Sequence, residues 1–209
     1  MAVPDSPPQL TSLPNLLGLA RIAAAPVVAA LILVVPFGGS GLLAFLIFGL
    51  AAVSDLVDGR LARARGQVNA LGVFMDLTAD KVLVAGVLIA MVEAALLPAW
   101  LVALLLIREL VVQGARQVAA SAAVVMPARA LGKGKTLATS IGMGLVLLAH
   151  DARTGGPLAA TGIGDALWLA GLWVMVAATA LAVVSGFGYV RAALPVMRGG
   201  AETQPPPAI

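Results

Sequence analysis

The sequence predicts an all-α, polytopic integral membrane protein with six transmembrane helices and both termini in the cytoplasm. Of the 209 residues, 61% are hydrophobic and only 11% are charged, whereas about a quarter of the residues in a soluble domain are charged. Each bilayer crossing needs roughly 20 apolar residues, so the hydrophobic residues of this chain suffice for about six crossings and leave little for a soluble domain. These two observations exclude a water-soluble enzyme.

Apolar stretches and the residues that interrupt them define the six helices in order. The first lies between two prolines, and stretches that interrupt the apolar sequence separate the others. The predicted helices run from Pro14 to Pro36, Gly41 to Val57, Leu71 to Val92, Pro98 to Ala122, Thr136 to His150 and Asp165 to Leu194. The membrane domain is therefore predicted to cover residues 13–197, with a disordered segment at 1–12 and a flexible tail at 198–209.

Basic residues lie almost entirely on one side of this arrangement. The connections at 37–40, 93–97 and 151–164 fall on one side, and those at 58–70 and 123–135 fall on the other together with both termini. Of the thirteen Lys and Arg residues, only Arg153 falls on the first side. Because cytoplasmic loops carry an excess of Lys and Arg, the termini are predicted to be cytoplasmic.

The residue types present restrict the chemistry. Cysteine is absent and histidine occurs once, at His150. Thiolate chemistry, disulfides and His-rich transition-metal sites are therefore excluded. Any bound metal must be held by oxygen ligands.

Four aspartates lie at the cytoplasmic ends of the second and third predicted helices: Asp55, Asp58, Asp76 and Asp80. A carboxylate at the centre of a membrane helix costs about 2.5 to 3.5 kcal/mol, less toward the interface, so this cluster needs compensation. The spacings of three and four residues place each pair on one helix face. If the two helices pack antiparallel, four carboxylates converge on a pocket suited to one or two Mg²⁺ or Mn²⁺ ions. The alternative is a set of ion pairs with Arg60, Arg63, Arg65 and Lys81.

Small residues accompany the aspartates. Gly59, Ala62 and Gly72 remove side-chain bulk and would let a ligand approach closely, and Arg63 offers a guanidinium fork suited to phosphate. Taken singly, the small residues are equally typical of close helix packing in membranes.

Together these residues form a long motif with fixed spacing. Over 26 residues it reads Asp55-x₂-Asp58-Gly59-x₂-Ala62-Arg63-x₈-Gly72-x₃-Asp76-x₃-Asp80. The motif resembles the signature of the CDP-alcohol phosphotransferase (phosphatidyltransferase) family at all eight fixed positions. The resemblance implies a compact six-helix membrane fold. It also implies transfer of a phosphoryl-alcohol group from a cytidine-diphosphate-linked donor to an acceptor hydroxyl, with release of CMP.

The same resemblance implies roles for individual residues. Asp55, Asp58 and Asp76, with Asp80, would hold two Mg²⁺ or Mn²⁺ ions that clamp the donor diphosphate. Asp80 would also act as the general base that takes the proton from the acceptor hydroxyl. Six residues would contact the donor nucleotide: Asp55, Asp58, Gly59, Ala62, Arg63 and Gly72.

The first predicted helix carries two further candidates. The segment from Pro14 through Asn15 to Arg21, followed by Pro26, resembles one that is common in bacterial members of the family. Asn15 and Arg21 are therefore candidate site residues. The alternative for Arg21 is a cytoplasmic anchor whose long side chain reaches to the membrane surface.

Basic residues around the fourth and fifth predicted helices are candidates for binding the acceptor phosphate. Arg108 and Arg116 lie two helical turns apart on one face, with Glu109 as a local partner. Lys133 and Lys135 stand near the start of the fifth predicted helix, where a helix N-terminus also favours phosphate. The alternative for these residues is anchoring at the cytoplasmic surface.

The segment Gly134-Lys135-Thr136 does not belong to a loop that binds a nucleoside triphosphate. Such a loop needs a glycine five positions before Gly134, and Arg129 occupies that position.

This basic group resembles that of phosphatidylglycerophosphate synthases, a type within the family that uses glycerol 3-phosphate as acceptor. The implied substrates are CDP-diacylglycerol and glycerol 3-phosphate, with no nucleic-acid partner, and the implied assembly is a homodimer. The implied location is the bacterial inner (plasma) membrane, with the site facing the cytoplasm. Two alternatives remain open: another acceptor, such as inositol phosphate, serine or phosphatidylglycerol, and a cation transporter that uses the four acids as its ion site.

Overall fold

The structure is a computed structural model that describes residues 13–34, 37–65, 70–122 and 130–197. Within these ranges the chain forms six α-helices and one short 3₁₀ turn, and no strand. The helices are α1 (Leu13–Leu33), α2 (Ser40–Arg65), α3 (Ala70–Glu93), α4 (Ala99–Ser121), α5 (Ala130–Arg153) and α6 (Gly164–Met197), with the 3₁₀ turn at Ala159–Thr161. The all-α prediction is confirmed for this part of the chain. The predicted terminal segments at 1–12 and 198–209 lie outside the described residues.

Two helices extend well beyond their predicted limits. Helix α2 continues to Arg65 rather than ending near Val57, and α5 begins at Ala130 rather than near Thr136. Hydropathy marks the part of a helix that lipid covers, whereas the helix itself continues wherever side chains favour it. The added segments are rich in Ala, Leu, Arg and Lys, which are good helix formers.

Two of the described helices are long and apolar enough to cross a membrane. These stretches are Asn15–Leu33 in α1 and Gly164–Leu194 in α6, and a shorter apolar stretch covers Ser40–Ser54 in α2. Large apolar side chains such as Leu19, Val184 and Phe187 are exposed along the two long helices, as expected for surfaces that face lipid.

The chain divides into two units. The first comprises residues up to Pro98 together with Ser140–Trp173, and the second comprises Ala99–Thr139 and the residues from Val174 onward. Helices α5 and α6 therefore contribute to both units, while α1, α2 and α3 belong to the first and α4 to the second.

In the first unit, α1 packs against both α2 and α3. Gly18 of α1 lies against Met75 of α3, and Ala25 lies against Gly86 further along both helices. These contacts advance in the same direction along α1 and α3, so the two helices run parallel. The absence of side chains at the two glycines lets the helices approach closely, as small residues do in membrane proteins.

A buried carboxylate fastens the start of α2 to the end of α5, also within the first unit. Asp151 is fully buried, and its Oδ1 accepts a hydrogen bond from the N–H of Leu42 at 3.0 Å while Oδ2 accepts one from the N–H of Leu158 at 3.1 Å. The Leu42 N–H belongs to the first turn of α2, where backbone donors lack partners within the helix. A Cβ atom at Gly156 would lie 2.1 Å from Asp151 Oδ1, and one at Gly41 would lie 2.4 Å from the Asp151 nitrogen. Both positions therefore need glycine.

Candidate functional site

The predicted acidic motif falls on two continuous helices. Asp55 and Asp58 lie in α2, and Asp76 and Asp80 lie in α3. The two residues of each pair are three or four positions apart on one continuous helix, so the two positions share a helix face. The side chains of Asp55, Asp58 and Asp76 lie outside the described part of the structure, and that of Asp80 is half-buried.

The donor-binding candidates follow the same pattern. Gly59, Ala62 and Arg63 lie in the part of α2 that extends past the predicted boundary, and Gly72 lies in the first turn of α3. Their side-chain positions, too, lie outside the described residues. Among the described side chains no three acidic or histidine residues come together, and of the four predicted ligands only Asp80 belongs to that set.

The two candidates on α1 are buried. Asn15 is 3% exposed and Arg21 is 2% exposed. Arg21 lies on α1 between Gly18 and Ala25, whose contacts on α3 are Met75 and Gly86, and this stretch of α3 contains Asp80. An anchor that reaches to the membrane surface would expose its guanidinium, so burial favours the interpretation of Arg21 as part of the site.

In the second unit, Arg108 of α4 is held by three acceptors. Its Nε donates to the carbonyl oxygen of Ala182 and its Nη2 to Oγ of Ser185, each at 2.8 Å, and both residues lie on α6. Its Nη1 donates to Oε1 of Glu109 at 2.8 Å. The pairing of Arg108 with Glu109 is confirmed, and the α6 contacts fix the direction of the guanidinium.

Lys135 of α5 joins the same group. Its ammonium donates to Oε1 of Glu109, the oxygen that also binds Arg108. The side chains of Arg108 and Lys135 are each 10% exposed, and that of Glu109 is 33% exposed. We call Arg108, Glu109 and Lys135 the basic cluster; it carries one net positive charge.

Arg116 lies at a different level of α4. Its Nη2 donates to the hydroxyl of Tyr189 at 3.2 Å, and its guanidinium lies 4.9 Å from the centre of the Tyr189 ring. Since Arg108 contacts Ala182 and Ser185 while Arg116 contacts Tyr189, α4 runs parallel to this part of α6. The predicted shared face of Arg108 and Arg116 is confirmed as the face toward α6, but each guanidinium is held at its own level.

The start of α5 differs from expectation. Because the helix begins at Ala130, Lys135 lies in its second turn rather than at its N-terminus. The free backbone donors of the first turn are therefore not beside Lys135. The side chain of Lys133 lies outside the described residues.

Two residues of α6 that complete these groups, Ser185 and Tyr189, were not predicted from the sequence. A serine and the chain's single tyrosine in a largely apolar helix were the available signal. Asp151 was also missed, although it is an acidic residue at the end of an apolar stretch, as the four motif aspartates are.

The sequence is similar to those of known proteins. The model of the CDP-alcohol phosphatidyltransferase family matches residues 11–187. A CDP-diacylglycerol--glycerol-3-phosphate 3-phosphatidyltransferase of Bacillus subtilis is 38% identical over 149 residues, which cover 66% of this chain and 77% of the relative. A probable phosphatidylglycerophosphate synthase of Mycobacterium tuberculosis is 34% identical over 200 residues, covering 93% of this chain and 88% of the relative. A cardiolipin synthase (CMP-forming) of Streptomyces coelicolor is 39% identical over 103 residues, 48% of each chain.

The chain belongs to the CDP-alcohol phosphatidyltransferase family, because the family model covers most of its length. The predicted family and the prediction of an enzyme are thereby confirmed. Members of the family generally depend on a divalent metal. Membership of a lipid-synthesis family and two helices able to span a bilayer identify a membrane protein.

Proposed function

We propose that this protein transfers a phosphatidyl group from CDP-diacylglycerol to glycerol 3-phosphate, forming phosphatidylglycerophosphate and releasing CMP. The observation that carries the choice of acceptor is the basic cluster, in which two nearly buried cations are held side by side. Arg and Lys are the side chains that bind phosphate groups, Arg through its fork and Lys as a point charge. The printed names of the Bacillus subtilis and Mycobacterium tuberculosis relatives agree with this reaction.

The acidic motif is assigned to the donor. Asp55, Asp58, Asp76 and Asp80 would hold two Mg²⁺ or Mn²⁺ ions, and a set made only of carboxylates fits these hard cations. When bound, such ions offset the charge that develops on the diphosphate during transfer. In support, α2 and α3 are continuous helices through all four positions.

The remaining donor roles follow the family motif, and the acceptor roles follow the basic residues of α4 and α5. Gly59, Ala62, Arg63 and Gly72 would frame the cytidine nucleotide. Arg108 and Lys135 would bind the acceptor phosphate, with Arg116 and Lys133 as further cations and Asn15 and Arg21 supporting the acidic motif.

The phosphatidyl group passes directly from donor to acceptor, with no covalent enzyme intermediate. A bond forms between the acceptor hydroxyl oxygen and the β-phosphorus of the donor, and the bond from that phosphorus to the bridging oxygen breaks. The hydroxyl proton passes to Asp80, and CMP leaves with the bridging oxygen. Catalysis then depends on positioning and charge compensation.

We further propose six membrane crossings with both termini and the acidic motif on the cytoplasmic side of a bacterial inner membrane, and a homodimeric assembly. The uneven distribution of the thirteen Lys and Arg residues supports this orientation.

The direct test is CMP release by the purified protein with both substrates and Mg²⁺ or Mn²⁺. Chelation should abolish the activity, and adding back either ion should restore it.

Replacing the proposed base by Asp80→Asn should lower turnover by about 10²- to 10⁴-fold while donor binding is largely retained. Asp165→Asn is the matched control, since Asp165 is 92% exposed in an ion pair with Arg153. Failure to release CMP with any tested alcohol would refute the proposed activity, and full turnover by Asp80→Asn would refute the base role.

A second acceptor deserves a test because one relative is named a cardiolipin synthase. That name favours phosphatidylglycerol, a lipid whose diester phosphate carries one charge, as the acceptor. A panel of glycerol 3-phosphate, inositol phosphate, serine and phosphatidylglycerol against CDP-diacylglycerol separates these cases. Lys135→Ala should impair transfer to glycerol 3-phosphate far more than transfer to phosphatidylglycerol, because the lipid acceptor has less need of the basic cluster.

A further inference from the structure

A single carboxylate oxygen in the basic cluster serves two cations. Oε1 of Glu109 accepts hydrogen bonds from Nη1 of Arg108 and from the ammonium of Lys135. Two hydrogen bonds of about 2.8 Å to one oxygen keep their donor nitrogens within about 5.6 Å of each other. This separation allows both nitrogens to reach different oxygens of one phosphate group.

The two cations depend on Glu109 to different degrees. Arg108 keeps two acceptors on α6, the carbonyl oxygen of Ala182 and the hydroxyl of Ser185, whatever happens at Glu109. Among the described contacts, the ammonium of Lys135 has Glu109 as its hydrogen-bonding partner. Because the lysine stem is long and flexible, loss of the carboxylate would leave Arg108 in place and release Lys135.

We propose that Glu109 is a positioning residue for acceptor binding, which holds the Lys135 ammonium beside the fixed Arg108 guanidinium so that both donate to one phosphate monoester. This inference rests on the proposed function, in which the acceptor carries that phosphate. Glu109 itself does not contact the reacting atoms; its effect passes through Lys135.

The charge of Glu109 explains why an anion-binding group contains an acid. Arg108 and Lys135 are largely removed from solvent, and two neighbouring cations with little water repel each other and lose hydration. The carboxylate compensates both. If it did nothing else, removing its charge would strengthen phosphate binding, whereas a positioning role predicts weaker binding. The sign of the effect therefore separates the two roles.

The test is a double-mutant cycle on the full chain in detergent. The variants are Glu109→Gln, Lys135→Ala and the double variant, with Glu93→Gln as the matched control because Glu93 is exposed at the end of α3. Steady-state kinetics give KM for glycerol 3-phosphate and for CDP-diacylglycerol. Calorimetric titration with glycerol 3-phosphate and with inorganic phosphate measures binding independently of turnover.

We expect Glu109→Gln to weaken glycerol 3-phosphate binding and raise its KM by about tenfold, the usual effect of losing a hydrogen bond to a charged group. KM for CDP-diacylglycerol should change less than about twofold. A general loss of folding would not raise KM for one substrate and leave KM for the other unchanged. In the Lys135→Ala background, Glu109→Gln should add less than about twofold, because residues that act through one another are not additive. If Glu109→Gln proves unstable in thermal unfolding, Glu109→Asp carries the same expectation, since its shorter side chain cannot reach both cations.

The outcomes distinguish this inference from the proposed function. Unchanged or tighter glycerol 3-phosphate binding by Glu109→Gln, or full additivity with Lys135→Ala, overturns the positioning role even if the wild type releases CMP. A wild type that binds glycerol 3-phosphate and obeys the cycle without releasing CMP supports the positioning role and refutes the activity. A wild type that binds neither glycerol 3-phosphate nor inorganic phosphate refutes both.

Discussion

The side chain of Arg108 crosses α6 at Gly186. A Cβ atom there would lie 3.1 Å from Cγ and 3.3 Å from Nε of Arg108, closer than side chains normally pack. The same guanidinium donates to Ala182 and Ser185, which precede Gly186 by four residues and by one residue on α6. Gly186 therefore supplies the space in which Arg108 reaches its acceptors.

Gly186→Ala should displace the Arg108 guanidinium and raise KM for glycerol 3-phosphate several-fold. Alanine is favoured over glycine in helices by about 1 kcal/mol, so the loss should occur without a fall in stability. Gly114→Ala on α4 is the matched control, because a Cβ there would meet nothing within 4 Å. Equal acceptor KM values for the two variants would show that Arg108 does not need this space.

At the scale of helices, Asp151 links the first turn of α2 to the segment that follows α5. The other end of α2 carries Asp55, Asp58 and the glycine of the family motif. A buried carboxylate thus fixes the start of α2, and the end of the same helix carries residues of the predicted site.

Asp151→Asn should destabilise the protein by about 1 to 3 kcal/mol, because an amide can accept only one of the two backbone hydrogen bonds and leaves a buried donor without a partner. Thermal unfolding in detergent measures this as a lower Tm. Asp165→Asn provides the comparison, since its exposed ion pair with Arg153 contributes little. A Tm equal to that of Asp165→Asn would mean that Asp151 does not hold α2.

For the molecule as a whole, composition and uninterrupted apolar stretches were sufficient to predict that the described residues are all-helical, and to predict the approximate place of each helix. Hydropathy could not locate the last residues of α2 or the first residues of α5, because those segments are helical but not apolar. Spacing predicted that Arg108 and Arg116 share a face, since helical geometry alone determines this. It could not predict Ser185 or Tyr189 as partners, because contacts between distant segments depend on how α4 and α6 pack.

The predicted orientation of the whole chain can be tested by thiol labelling, which the absence of cysteine makes simple. In intact cells or right-side-out vesicles, a membrane-impermeant reagent should label Thr161→Cys, which is exposed in the connection between α5 and α6. It should not label Ser6→Cys until the membrane is opened. The reverse pattern would place both termini outside the cytoplasm.

The three acceptors around Arg108 also affect how much affinity an anion can gain. Immobilising a long side chain on binding costs about 0.5 to 1.5 kcal/mol in conformational entropy. The Arg108 guanidinium is already held by a backbone carbonyl, a hydroxyl and a carboxylate. Its side chain therefore loses conformational entropy when the protein folds, and not when a ligand binds. A small, flexible acceptor such as glycerol 3-phosphate, which offers few contacts, then loses less of its binding free energy to ordering the protein.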